Sequence, residues 1–179
     1  MPMKYCGKCG NRLASRVPPG DDRPRFVCDT CETIHYENPK IVVGCIPEFS
    51  GKILLCRRAI QPRLGRWTLP AGYLENGETL LEAVRREVFE EARARLTALT
   101  PYGLYNLTFV NEVYIMFHGL LVDEDYGPGP ESSEVRLVAE ADIPWEALAF
   151  SVMRETLRRF FGDRNKGGLR FHMGDVQPG

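Results

Sequence analysis

The 179-residue chain reads as a mixed α/β domain preceded by a small cysteine-bound ribbon. Three observations predict this. Cys6-Gly7-Lys8-Cys9 and Cys28-Asp29-Thr30-Cys31 form two C-x-x-C pairs with eighteen residues between them. Strand-like apolar runs lie on both sides of one helical segment, and a second helical segment comes after them. The first of these helices is acidic and comes after a glycine-bearing loop, in the stretch GYLENGETLLEAVRREVFEEA.

The ribbon comes first, at residues 1–36. Four thiolates at this spacing suit tetrahedral Zn²⁺, which takes Cys6, Cys9, Cys28 and Cys31 as a closed site of four cysteines. Two disulfides, a redox dithiol and rubredoxin-like iron are the competing readings. Nothing in the sequence suggests secretion, and a redox dithiol needs only one C-x-x-C, so zinc leads and iron is second. About thirty residues bury too little core to fold alone, so metal binding should drive the folding of this segment. Residues Val17 to Pro24 form a turn-rich link between the knuckles, and His35 is expected to close the junction with the main domain.

The main domain is expected over residues 37–162. Ile41 to Ile46 reads as a β-branched strand, and a turn at Ser50-Gly51 returns it through Ile53 to Arg58, a hairpin pattern. Strands are further expected at 102–110, 112–122 and 135–139. In the second of these, Val113, Ile115 and Phe117 alternate with Tyr114, Met116 and His118, which implies burial on both faces. A terminal helix is expected from Ser151 to Phe161, with Val152, Thr156, Leu157 and Phe160 inward and Gly162 as its stop. The tail, residues 163–179, is glycine-rich and expected to be loosely ordered.

Between these strands lies the acidic helix. Thr79 suits its N-cap and Glu82, three residues on, completes a capping box. Leu81, Val84, Val88 and Ala92 recur at helical spacing as a buried stripe. Glu87, Glu90 and Glu91 are expected on the flank beside it, since residues three and four apart share one side of a helix. Like charges so placed destabilise an isolated helix by about 0.2–0.5 kcal/mol per pair. A divalent cation such as Mg²⁺ would offset that cost, because hard cations take carboxylate ligands. The plainer reading is a solvated acidic face balanced by Arg85, Arg86 and Arg93. The upstream glycine loop, Glu78 and Arg86 favour the metal site.

From Gly72 the chain resembles the Nudix box, G-x5-E-x7-R-E-U-x-E-E-x-G-U with U a bulky aliphatic residue. Gly72, Glu78, Arg86, Glu87, Val88, Glu90 and Glu91 fall in register; Arg93 stands where the box has glycine and Ala94 where it has a bulky aliphatic. The resemblance covers roughly residues 40–161 and implies an α/β/α sandwich around a mixed sheet. It also implies Mg²⁺- or Mn²⁺-dependent hydrolysis of a nucleoside diphosphate linked to another moiety. Glu87, Glu90 and Glu91 are then the metal ligands, with the Gly72 carbonyl as a further one. Arg86 and Glu78 form an orienting ion pair, and either Glu90 or Glu91 activates water. Several Nudix enzymes bring a glutamate from a later loop, for which Glu134 is the candidate. The ribbon and the junction His35 to Lys40 resemble the subset that includes NADH, FAD and ADP-ribose pyrophosphatases. The S-Q-P-W-P-F-P run of the NADH branch is absent, and Phe109-Val110 stands where an ADP-ribose type often has proline. FAD and ADP-ribose therefore lead as substrates, NADH comes behind them, and AMP is the expected product.

Other residues carry weaker signals. Trp67, Tyr73, Phe109 and Tyr114 could stack on a flat ring, though aromatics beside strands are more often core. Arg57 and Arg58 suit phosphates or plain surface charge. His118 reads as a packed strand histidine, and Cys45 and Cys56 as buried reduced thiols. A net charge of −1 argues against general nucleic-acid or membrane adhesion, so nucleic acid is not an expected partner. The start has no apolar signal segment and no apolar run approaches the roughly 20 residues of a membrane span; a cytoplasmic protein, as a homodimer, is the expectation. Two other classes stay open: a ribbon-led nucleic-acid or protein-binding module, and a Nudix-fold sensor that binds a nucleotide sugar without cleaving it.

Overall fold

Three short strands are enough for the ribbon. The structure, a computed structural model, describes residues 3–179. The chain divides after Pro39 into two units. In the first, β1 (Leu13–Arg16), β2 (Arg25–Cys28) and β3 (Ile34–His35) pair antiparallel in that order. The β1–β2 register, Leu13 opposite Cys28 through Arg16 opposite Arg25, places one knuckle at the end of the hairpin and the other just before it.

In the second unit, alternation along the strands sets the layers. β4 (Lys40–Phe49) sends Val42 and Ile46 into one core and Val43 and Cys45 into the other. β5 (Lys52–Arg58) splits Ile53 and Leu55 from Leu54 and Cys56 in the same way. Successive strand residues point to opposite faces, so a strand apolar at every position must be covered twice. β6 (Trp67–Thr68) and β7 (Ala71–Tyr73) are short additions to β5 and β4. α1 (Leu80–Ala92) then covers one face with Ala83, Val84, Val88 and Ala92.

The sheet is completed by β8 (Leu96–Leu107), β9 (Glu112–Leu121) and β10 (Ser132–Val138). α2 (Ser151–Arg164) covers the opposite face with Val152, Met153, Leu157, Phe160 and Phe161. A last strand, β11 (His172–Asp175), lies at the edge, giving the order β10-β5-β4-β9-β8-β11. β4 with β9 and β8 with β11 run parallel and the other pairs antiparallel, so the sheet is mixed and the layering is α/β/α. Fully burying each aliphatic side chain contributes about 1.5–3 kcal/mol, which makes these two cores the main source of stability.

Several expectations change. Leu81 is exposed, and the buried face of α1 holds Glu87 and Glu91 themselves alongside Ala83, Val84, Val88 and Ala92. β8 begins at Leu96 and turns after Leu107, because residues 108–111 form the tight connection to β9. Gly162 does not end α2. Its successor Asp163 is buried and accepts hydrogen bonds from the Tyr102 hydroxyl (3.1 Å), His172 Nε2 (2.7 Å) and the Arg170 amide (3.1 Å), which holds the last turn in place. The same bonds fasten the tail, so residues 172–175 pair with β8, Gly103 to Asn106, in place of the loose tail expected from residue 163.

The start of α1 matches its sequence signals: Thr79 accepts from the Glu82 amide, and Glu82 accepts from the Thr79 amide at 2.8 Å. Its end explains the box glycine. Arg93 closes the helix in the left-handed region, φ 53°, its amide bonded to Phe89 O at 2.8 Å. A left-handed conformation costs a residue with a Cβ about 1–2 kcal/mol, part of which glycine returns through greater freedom when unfolded. Arg93→Gly is therefore expected to raise stability by up to about 1 kcal/mol in urea unfolding; a clear loss would show that the Arg93 side chain, which lies over Phe89, outweighs the backbone term.

Candidate active site

One guanidinium organises the acidic helix. Arg86 gives Nε and one terminal nitrogen to the two oxygens of Glu78, at 3.0 and 2.7 Å. The second terminal nitrogen reaches Glu87 Oε1 at 2.6 Å and Glu90 Oε2 at 3.1 Å, and the first also donates to the Tyr73 carbonyl at 3.1 Å. Glu78 in turn accepts the Glu75 amide at 2.7 Å. The loop of residues 73–78 is thus tied to the middle of α1. The arginine, together with that amide bond, holds the Glu78 carboxyl down to about 2.

The remaining carboxylates lie in opposite environments. Glu90 is largely exposed. Burial raises Glu87, and only the adjacent Arg86 limits the rise. Burial, and after it the Glu87 charge, pushes Glu91 up to about 8. Glu91 Oε2 is also fully buried with no hydrogen-bond partner among the described residues. An unmatched buried acceptor costs about 1–3 kcal/mol, and a cation at that oxygen would remove the cost. Gly72 on β7 lies against the same group: a Cβ there would sit 2.3 Å from the Glu87 carboxyl group and would have to displace it. This donor set, all oxygen with one uncompensated carboxylate, suits Mg²⁺ or Mn²⁺.

These groups line a cleft of about 720 Å³. Val42, Tyr73, Tyr114, Phe150 and Met153 also line it, with Glu112 among them. Glu112 accepts from the Tyr73 hydroxyl at 2.8 Å. Parallel pairing of β4 with β9 puts Lys40 beside Glu112 and Val42 beside Tyr114. Of the aromatics singled out above, Tyr73 and Tyr114 face the cleft; Trp67 packs against the α2-side core under Arg136. Arg58 lines the cleft, whereas Arg57 is engaged by Glu134 and the Gly65 carbonyl.

Glu134 is not among the cleft residues. It sits on β10 opposite Arg57 and pairs with Arg57 and Arg136. Glu131, three residues earlier on the loop ahead of the β10 bulge, is the glutamate that lines the cleft. Glu112, Phe150 and Met153 were not singled out by sequence, because only strand pairing and helix docking bring them to the carboxylates.

The four cysteines of the ribbon also converge, with all four sulfurs within 4.8 Å of one another. Tetrahedral zinc with Zn–S near 2.3 Å separates its sulfurs by about 3.8 Å, and Cys6–Cys31 at 3.6 Å and Cys9–Cys28 at 3.4 Å are close to that. Donors surround them: the Lys8 amide and His35 Nε2 at Cys6, Asn11 Nδ2 at Cys9, and Thr33 at Cys31, whose thiol is held down to about 6. His118, by contrast, is a packed strand histidine, bonded to Glu48 and lying against Phe160. Cys45 and Cys56 are buried thiols that burial pushes up.

The fold and site define an α/β/α domain that presents carboxylates from its first helix into a nucleotide-sized cleft. A family model described as the NUDIX domain matches residues 38–160, and one described as Nudix N-terminal, a zinc ribbon, matches residues 4–37. The chain belongs to the Nudix hydrolase family. A crystal structure of a NUDIX hydrolase from Nitrosomonas europaea superposes with a TM-score of 0.94 at 48% identity, covering 97% of this chain and 99% of that one. The NAD-capped RNA hydrolase NudC of Vibrio parahaemolyticus is 31% identical over 80% of this chain and 50% of its own length. Its counterpart in Haemophilus influenzae is 33% identical over 69% of this chain and 45% of its own. The chain thus spans about half the length of these curated relatives.

The Arg86–Glu78 pair makes a pH prediction. Because the folded-state value of Glu78 lies below its ordinary 4.5, the pair stabilises the fold above about pH 4.5 and ceases to do so as pH falls toward 2. Arg86→Gln should melt below the unaltered protein at pH 7, with the gap closing as pH drops through that window. A gap independent of pH would mean that the arginine acts through packing alone.

Proposed function

We propose that this chain hydrolyses the pyrophosphate bond of an adenosine diphosphate linked to a second moiety, with release of AMP. ADP-ribose and FAD are the first substrates, and NAD-type ends join them because the curated relatives are named NAD-capped RNA hydrolases. Those names bring nucleic acid back among the partners that the net charge had discounted. One observation carries the reading: Glu87, Glu90 and Glu91 line one cleft, where Arg86 orients the first two and an oxygen of Glu91 is buried without a partner.

Glu87, Glu90 and Glu91, with the Gly72 carbonyl, are the groups that would hold Mg²⁺ or Mn²⁺. When bound, such ions neutralise phosphate charge and lower the pKa of a coordinated water. The chain supplies the rest. Tyr73, Tyr114 and Phe150 offer apolar surface to a nucleoside, and Arg58 faces its phosphates. Water adds to one phosphorus as the bridging P–O bond breaks, leaving two monophosphates and one proton. Glu90 or Glu91 takes that proton, and the exposure of Glu90 favours it, while Arg86 and Glu78 keep the ligands oriented. In the ribbon, Cys6, Cys9, Cys28 and Cys31 would hold one Zn²⁺ with no position free for water, a structural role. Among the described residues no helix is long and apolar enough to cross a membrane, and a reducing, cytoplasmic setting would keep all six thiols unbridged.

Incubation with Mg²⁺ or Mn²⁺ and each of ADP-ribose, FAD, NADH and an NAD-capped oligonucleotide tests the reading, with AMP or a 5′-monophosphate end as the readout. Glu91→Gln should keep the fold and lower turnover on the order of 100-fold or more, the scale for removing one group that stabilises developing charge. Unchanged turnover would take the box out of the mechanism, and tight binding of ADP-ribose without AMP would make the protein a sensor. Zinc should copurify at about one equivalent and resist mild chelation. Cys28→Ser should lose the zinc and ribbon stability while each folded molecule keeps Mg²⁺-dependent activity; iron in place of zinc, or full activity on zinc alone, contradicts this division.

A further inference from the structure

Beyond the catalytic cleft lies a second hollow, of about 350 Å³. The two share Pro62, Glu112, Tyr114 and Phe150, so they adjoin along one wall. The chemistry changes across that wall. In the first cleft Arg86 is saturated by glutamates. The second brings Arg63, Arg66 and Arg154 together with a single acidic side chain, Glu112, one of whose oxygens already accepts from Tyr73.

The arginines are held ready. Arg66 donates to the Glu146 carbonyl at 2.6 Å and Arg154 to the neighbouring Trp145 carbonyl at 3.1 Å, so one turn fixes both side chains and leaves the other N–H groups of each free. Arg154 Nε is fully buried with no acceptor among the described residues. The Arg63 side chain enters none of the hydrogen bonds or ion pairs found among the described residues. Phe109, nearly half exposed, stands at the same hollow. Guanidinium forks match phosphate oxygens, and an aromatic face beside them accepts a base.

We propose that this hollow takes a phosphate ester carried on the substrate's ribose, beyond the pyrophosphate that is cut. The inference rests on the reading of the first cleft as a nucleoside-diphosphate site and names the substrate class more closely. Two sources present this chemistry: a small dinucleotide with a phosphorylated ribose, or the first phosphodiester of a capped RNA. The pairing with Phe109 suits the RNA end, since the next base can stack where its phosphate meets arginine.

The test compares NAD with NAD 2′-phosphate and with NAD extended by one nucleotide through a 3′-phosphodiester. Equilibrium Kd without metal and AMP or monophosphate release with Mn²⁺ are both measured. The proposal expects an extra phosphate to lower Kd and raise kcat/KM by about tenfold or more at low salt, the scale of one charge-assisted contact. Arg63→Ala should abolish that gain while leaving kcat/KM for NAD within about twofold, as expected for a residue outside the first cleft. Arg154→Lys, which keeps the charge and loses the fork, should reduce the gain in part. A gain for the 3′-extended compound alone identifies the RNA end; a gain for the 2′-phosphate alone identifies the small dinucleotide. Equal constants for all three compounds, or a gain that survives in Arg63→Ala, overturns the proposal. Discrimination in Kd with no product in any assay strikes the hydrolytic reading alone.

Discussion

The site depends on how one arginine distributes its hydrogen bonds. Arg86 has a fork for Glu78, a nitrogen shared by Glu87 and Glu90, and a bond to the Tyr73 carbonyl. The fork ties the loop of residues 73–78 to α1, while Gly72 itself is held in β7 by pairing with Val43 of β4. Three carboxylates on one turn and a half of helix would otherwise repel one another and take up solvent. The arginine neutralises Glu87 and Glu90, whereas Glu91 is buried without its help.

The burial of Glu87 and Glu91 has a cost. Glu87 and Glu91 occupy positions that Val84, Val88 and Ala92 would lead one to fill with aliphatics. A buried carboxylate with one oxygen unpartnered is unfavourable, and burial moves Glu91 up to about 8. The two cores on either side of the sheet absorb that expense, because both faces of β4 and β5 are packed. Stability and polarity are thus divided between residues: the aliphatics of α1 hold the helix down, and two of its glutamates are buried beside them.

Much of this was legible from residues close in sequence. The capping box and the two C-x-x-C pairs are local patterns and appear where the pattern puts them, whereas the carboxylates divide, Glu87 and Glu91 buried and Glu90 exposed, and Gly72 lies in β7, not in a loop. Errors arose where distant pairing decides. Gly162 reads as a helix stop until Tyr102 and His172 converge on Asp163. Residues 172–175 look too glycine-rich for a strand until β8 offers them an edge. Glu131 and Glu134 are both plausible from sequence, and only the register of β10 against β5 turns Glu134 to Arg57 and leaves Glu131 in the cleft. Glu112 and the arginine-lined hollow carry no local signal at all.

The Arg86–Glu78 pair is expected to act on the neighbouring carboxylates as one unit. Mn²⁺ affinity in a double-mutant cycle of Glu78→Gln and Arg86→Gln measures this most directly. If the pair acts as one unit, each single change weakens Mn²⁺ binding by about 10-fold or more, the usual effect of losing an orienting partner, and the double change is no worse than either. Additive losses, or wild-type affinity in either single variant, would contradict the account.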